Sequence, residues 1–390
     1  MRIIYLGAFR LPNLDAAAPR VLNNAKAFRS LGHEVSFISW GGQYREEELC
    51  TDGKYRVCGF EYQISNDLPV GGSAKERIMT KLFRGKRSIK MLEKMPKPDL
   101  IIIYNAINSF SKLMIKYCHK NKIKLANDIN EWFDNKELHL FDMLPNYINM
   151  THTQNKINNK IVISKFLDNY YSNSNNLLMP PLCDPEDPKW ATNVEDKRIG
   201  SFNGYTLIYA GNPAKKDCIN SVINAVNTLA NIGQPIRFLI LGVTRDAYIK
   251  KNRKVLMSTS LHKNVVFLGR VSQDLIPAYY KQADFMVLLR KPNRKNMAGF
   301  PTKFAESMTA GVPVITNATS DLSKYVINGK NGFLVNGHDY ACILYTLTHS
   351  VLKLSKSEIK TMKNFVKLSN GDFNWHNQVE KFKIFIDNLK

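Results

Sequence analysis

The sequence predicts an α/β protein of two successive doubly wound domains. Short apolar strands alternate with amphipathic helices along most of the 390 residues, a pattern that builds parallel sheets with helices on both faces. Four prolines within ten residues (Pro180, Pro181, Pro185 and Pro188) interrupt the alternation near the middle. Three strands beyond that break end in glycine, at Gly211, Gly242 and Gly269, as suits close ligand approach at the carboxyl edge of a parallel sheet.

The first half opens with a short strand, Arg2–Leu6, and a loop over 7–19. A helix follows over Arg20–Ser30, with Val21, Ala25 and Phe28 at helical spacing and Gly32 placed to stop it. Strands are expected at Glu34–Trp40, Leu100–Tyr104, Ile123–Asn127 and Lys160–Ser164, with helices over Ser109–Asn121 and Lys165–Tyr171. The proline segment lacks amide donors and excludes helix, so the domain boundary falls there, between 182 and 183. The second half repeats the scheme. Its strands are Thr206–Ala210, Ile236–Leu241, Val265–Leu268, Phe285–Leu289 and Val312–Thr316, and its helices Cys218–Ala230, Leu275–Gln282 and Lys303–Thr309. From about Gly371, Trp375, Val379, Phe382 and Phe385 recur at helical spacing, marking a last helix that packs on a core.

Composition narrows the class further. No run of about 18 apolar residues occurs, so no membrane span is expected. The apolar run at the N-terminus is too short for a secretory signal. The six cysteines are scattered and form no metal-spaced pair, which fits a reducing cytoplasm without structural zinc. Lys and Arg number 55 against 33 Asp and Glu, a formal charge of +22. A field of that sign favours phosphorylated ligands, anionic lipid or nucleic acid and does not choose among them.

Two stretches carry chemistry. In Tyr209-Ala210-Gly211-Asn212-Pro213-Ala214-Lys215-Lys216-Asp217, a strand ends in glycine and a loop presents lysines before a helix; amides and a lysine at a helix start attract anions. In Ala298-Gly299-Phe300-Pro301-Thr302-Lys303-Phe304-Ala305-Glu306, a Gly/Pro loop enters a helix that bears Glu306. Pro301 suits a first turn, Thr302 is placed to bond free amides, and a carboxylate such as Glu306 can accept both hydroxyls of a ribose. In the first half, Asp128 and Glu131 follow a strand end, and Asn105 ends the Leu-Ile-Ile-Ile-Tyr strand.

The stretch from Phe300 to Val335, with Gly7, Arg20-Val21, Ile163-Ser164-Lys165, the Tyr209–Asp217 loop and Phe267-Leu268-Gly269-Arg270, resembles glycosyltransferase family 4 in order and spacing across nearly the whole chain. The resemblance implies the GT-B fold: two Rossmann-like domains facing across a cleft, a first domain of 1–182 to which a C-terminal helix at 372–390 returns, and a nucleotide-sugar domain of 183–371. It implies that Glu306 holds the ribose and Lys216 the diphosphate. Gly7, Asn105, Gly211, Asn212, Gly299, Phe300, Thr302 and Lys303 would surround the donor, and Arg270 and Val271 the base. Asp128 and Glu131 would serve catalysis, and Arg20 an acceptor or phosphate. Two positions depart from the family: Ala298 stands where a first glutamate is common, and Asn212 where an arginine is.

The expected reaction is a retaining transfer from a nucleotide diphosphate sugar to a saccharide or lipid-linked saccharide of surface-polysaccharide synthesis, with no metal and no cofactor beyond the donor. Residues 75–97 hold nine basic and two acidic residues, which suits an anionic membrane surface on the cytoplasmic side. Two rivals stand beside this reading. One is a GT-B binding protein that has lost catalysis, suggested by Ala298 and Asn212. The other is a basic nucleic-acid-binding protein, although no nucleic-acid module appears and no nucleic-acid partner is expected.

Overall fold

The computed structural model describes residues 1–67, 84–133, 138, 140–213, 216–254, 256–257 and 260–390. The chain divides into two compact units: Met1–Cys183 with Trp375–Lys390, and Asp184–Asn374.

The first unit is an eight-stranded sheet. Its strands are β1 (Arg2–Leu11), β2 (Glu34–Gly42), β3 (Arg56–Val57), β4 (Phe60–Ile64), β5 (Leu100–Tyr104), β6 (Lys124–Ile129), β7 (Asn159–Val162) and β8 (Asn175–Leu178). They lie in the order β3-β4-β2-β1-β5-β6-β7-β8, parallel except for the short β3–β4 pair. Every residue of β5 is buried, as a central parallel strand covered on both faces requires. The first strand runs five residues beyond the expected Leu6. A register shift between Gly7 and Arg10 carries it on to pair Leu11 with Gly42, a bulge that strand-length reasoning does not reveal.

Among the described residues, the helices of this unit include α1 (Ala17–Ser30), α2 (Lys86–Leu92), α3 (Asn108–Asn121), α4 (Leu140–Ile148) and α5 (Lys165–Tyr170). One core, between the sheet and α1, gathers Tyr5, Phe9, Phe28 and Phe37 and also takes in Phe382 and Phe385 of the C-terminal helix Val379–Asp387. The rings of Phe28 and Phe382 meet edge to face at 4.9 Å. The other core holds Trp40, Ile101, Ile103, Phe110 and Met114 under α2 and α3.

The second unit carries six parallel strands, β9 (Tyr205–Ala210), β10 (Ile236–Leu241), β11 (Val265–Gly269), β12 (Phe285–Leu288), β13 (Val314–Asn317) and β14 (Gly332–Val335). Their order is β11-β10-β9-β12-β13-β14. The chain works outward from β9 through β10 to β11, then returns to β12 on the other side of β9. That reversal is a topological switch point, where the loops after β9 and β12 part and leave a crevice at the carboxyl edge. Its helices include α6 (Ile219–Asn231), α7 (Arg245–Asn252), α8 (Ile276–Lys281), α9 (Arg294–Ala298) and α10 (Thr302–Thr309). Two parallel α/β sheets flanked by helices thus make two Rossmann-like domains. Among the described residues no helix is long and apolar enough to cross a membrane.

Candidate functional site

The switch point of the second unit brings together side chains from β9, β12 and α10. At the end of β9, Tyr209 donates its hydroxyl to Asp217 Oδ2 at 2.5 Å. Arg290, two residues past β12, donates Nε to Asp217 Oδ1 at 2.8 Å. Lys303, in the first turn of α10, places Nζ 3.1 Å from Asp217 Oδ2 and 2.8 Å from the Tyr209 hydroxyl. Asn317 at the end of β13 fixes Arg290 by bonding both its amide and its carbonyl, at 2.9 and 2.7 Å. Asp217 and Arg290 are buried, and the Lys303 side chain is 17 % exposed.

One carboxylate therefore faces two cations. Burial alone would raise the Asp217 pKa, but Lys303 and Arg290, with the Tyr209 hydroxyl, outweigh it and hold the carboxyl well below its usual range. The Lys303 pKa is lowered as well, first by burial; Asp217 offsets this, while Arg290 and the nearby Lys216 add to the lowering. Among the described residues, Lys303, Arg290 and Lys216 set a cationic field around the Asp217 carboxylate, of the sign that attracts a phosphorylated ligand.

Gly211 makes the geometry possible. Its φ is +128°, and a Cβ there would stand 2.7 Å from Lys303 Cε. The lysine lies across the glycine. We expect Gly211→Ala to cost about 1–3 kcal/mol of stability through its backbone alone and to dislodge Lys303; the shift in denaturation midpoint measures the first effect.

Glu306 is one turn beyond Lys303 on α10, half-buried. Burial raises its pKa, and Lys189 and Lys303 partly offset the rise. Among the described residues no hydrogen bond reaches its carboxylate. Such a group, desolvated but unbonded, is prepared to receive donors from a ligand.

The other expected residues distribute as follows. Asn212 and Arg270 are exposed and Val271 half-buried, each just past a strand end. Phe300 is buried among Phe304, Tyr325 and Phe373, so its side chain serves the core and only its backbone remains for a ligand. Gly299 ends α9 and bonds its amide to Lys295 O at 2.9 Å. Thr302 does not cap α10; Pro301 holds the N-cap position and no side chain closes that end, which leaves first-turn amides for an anion. Sequence reasoning missed Asp217 as a participant, and missed Arg290 and Lys189. A charge directly following the buried Phe-Met-Val-Leu-Leu run was the available signal for Arg290.

In the first unit, the fold's own contacts engage most of the expected residues. Asp128 is fully buried and has no oxygen left for a substrate. Arg20 Nη2 and Nε donate to it at 2.8 and 3.1 Å, Tyr5 at 2.5 Å and Asn24 at 3.3 Å. Arg20 is equally consumed, its Nη1 donating to Met179 O at 3.0 Å and to Pro180 O at 3.4 Å. The pair is 2 % and 0 % exposed. It ties α1 to β6 and to the segment after β8, so both side chains that the sequence suggested for catalysis and phosphate binding are engaged inside the first unit. Asn105 is also structural: its Oδ1 accepts the Asn130 amide at 2.8 Å. Gly7 serves strand packing, since a Cβ there would meet Tyr104 O at 2.8 Å. Glu131 is half-buried beyond β6.

Comparison with known proteins accords with this architecture. Residues 204–350 match the family described as glycosyl transferases group 1. Solved structures resemble the whole chain. Sucrose-phosphate synthase (tll1590) from Thermosynechococcus elongatus superposes with a TM-score of 0.74 at 16% identity, covering 100% of this chain and 99% of that one. Anabaena Alr3699/HepE, in complex with UDP and glucose, gives 0.70 at 14% identity over 100% of both chains. A trehalose-6-phosphate structure from E. coli, bound with UDP-2-fluoro glucose, gives 0.70 at 11% identity, again over 100% of both. No curated protein matches the chain in sequence. Residues 204–350 of the second unit are thus similar to the glycosyl transferases group 1 family, in a chain whose two Rossmann-like domains have the GT-B fold.

Proposed function

We propose that this chain is a retaining, family 4-like glycosyltransferase that takes a sugar from a nucleoside diphosphate donor held by the second unit. The observation that supports it most is the convergence of Lys303, Arg290 and Lys216 at the switch point, with the unbonded Glu306 carboxylate one turn along α10. Lys216, Lys303 and the first-turn amides of α10 meet the diphosphate, with Arg290 behind them. Glu306 accepts the ribose hydroxyls. As the glycosidic bond breaks, the departing diphosphate gains charge that these fixed cations stabilise. With side-chain cations in that role, transfer needs no metal ion. UDP-sugars are the first donors to try, because the Anabaena and E. coli structures named above hold UDP or a UDP-sugar. The acceptor is a saccharide, free or lipid-linked, in surface-polysaccharide synthesis.

The expected result is nucleotide release coupled to transfer from an isotopically labelled donor, undiminished by a chelator, with the product's anomeric proton coupling matching the donor's. Inverted coupling would refute retention, and loss of activity with the chelator would refute metal independence. A second reading is favoured by two observations. Ala298 is fully buried where a sugar-binding glutamate is common, and Asp128 is locked to Arg20. On that reading the chain binds nucleotide sugars without transferring them, and the same assay gives binding with no turnover.

A further inference from the structure

We infer that helix α4, with the basic outer faces of α2 and α3, forms a docking surface for an anionic lipid bilayer. The helix has no buried residue, so packing within the unit does not account for its apolar side chains. Leu140, Phe141, Leu144 and Tyr147 are 81, 87, 65 and 49 % exposed. At 100° per residue they fall within an arc of about 120°, a single continuous stripe. Isolated exposed apolar residues are ordinary, but a stripe of large ones marks an interaction site.

The surroundings identify the occupant. α2 and α3 cover the same face of the sheet, with Ile89 and Met91 packed on the core that holds Phe110 and Met114, and α4 packs beside α3. Arg84, just before α2, feels the charge of Asp142 on α4, which brings the two helix starts together. The outward residues are strongly basic. Lys86, Arg87 and Lys90 on α2 and Lys112, Lys116 and Lys120 on α3 are exposed, and α3 contains no acidic residue at all. An apolar helical stripe beside a cationic field is the combination that binds the interface of a negatively charged membrane. It also disfavours a second copy of this chain, which would bring like charges together. Of the basic segment expected to meet a membrane, Lys75, Arg77 and Lys81 lie outside the described residues; Arg84 through Lys97 remain, and α4 sets an exposed apolar stripe in the same unit.

The inference does not depend on the donor site, and its test uses no nucleotide. The full chain is mixed with vesicles of pure phosphatidylcholine, or of phosphatidylcholine with phosphatidylglycerol, and floated on a density gradient. The wild-type chain should float with the anionic vesicles only, and less so as salt rises. The double variant Phe141→Gln and Leu144→Gln, both on the solvent face, should partition at least about tenfold more weakly while melting at the wild-type temperature. Lys112→Glu with Lys116→Glu should weaken flotation without touching the apolar stripe. Failure of the wild type to float, or undiminished flotation of the double glutamine variant, would overturn the proposal. So would size-exclusion data in which the wild type is a dimer that this variant converts to monomer.

Discussion

Asp217→Ala is expected to cost about 3–5 kcal/mol of stability, because it leaves Arg290 and Lys303 buried without their shared anion. The wild-type carboxylate accepts from Arg290 at 2.8 Å and from Tyr209 at 2.5 Å, and meets Lys303 at 3.1 Å. Removing it sets two cations against each other and takes from the Tyr209 hydroxyl its short acceptor, leaving Asn212 O at 3.5 Å. For a unit of this size the loss amounts to a fall in melting temperature on the order of 10 °C. The pH dependence has a definite sign. Asp217 is held below its usual pKa, with the cations outweighing burial, so the folded chain holds that proton less tightly than the unfolded chain. Its contribution is complete above the ordinary aspartate value near about 4 and is lost as pH falls toward the lower folded value. The variant should lack this component of acid destabilisation. A nucleoside diphosphate supplies negative charge to the same cations, so saturating nucleotide should raise the melting temperature of the variant by more than that of the wild type. An unchanged melting temperature would show that the cluster does not hold the loops after β9 and β12 together.

Glu306 should behave in the opposite way. Glu306→Ala is expected to weaken donor binding by about 100-fold, the loss of two charge-assisted hydrogen bonds of about 1.5 kcal/mol each. Yet the residue costs stability in the free protein. Burial raises its pKa ahead of the pull of Lys189 and Lys303, so the folded chain holds the proton more tightly than the unfolded chain. Its ionised form is penalised fully above the raised folded value, and the penalty vanishes below the ordinary glutamate range. Glu306→Gln should therefore melt at or above the wild-type temperature at pH 8, with the difference shrinking toward pH 4. A group that costs stability is what a ligand-binding role predicts and a packing role does not.

How far the sequence reaches depends on which forces act locally. The buried runs Leu-Ile-Ile-Ile-Tyr and Ile-Arg-Phe-Leu-Ile-Leu become central strands β5 and β10, and the proline-rich segment coincides with the passage from one unit to the other. Burial and backbone chemistry set these, and both are written residue by residue. The strands β3, β4, β8 and β14, at or next to a sheet edge, escaped notice because they are short and only partly buried. The Gly211 loop, Lys303 and Glu306 were legible as motifs. Their charge partners were not: Asp217 meets Arg290 across 73 residues, and Asp128 meets Arg20 across 108. A carboxylate after a strand reads alike in both units. Only the fold decides that Asp217 lies among cations at the switch point while Asp128 is sealed inside the first unit.

The most direct test of the donor site is calorimetric titration of wild type and Glu306→Ala with UDP-glucose, the corresponding GDP-, ADP- and dTDP-sugars, and inorganic pyrophosphate. Binding of one nucleotide family to the wild type, weakened about 100-fold by the substitution while pyrophosphate binding is kept, is the result this account predicts. Equal nucleotide binding by both proteins, or none by a folded wild type, would contradict it.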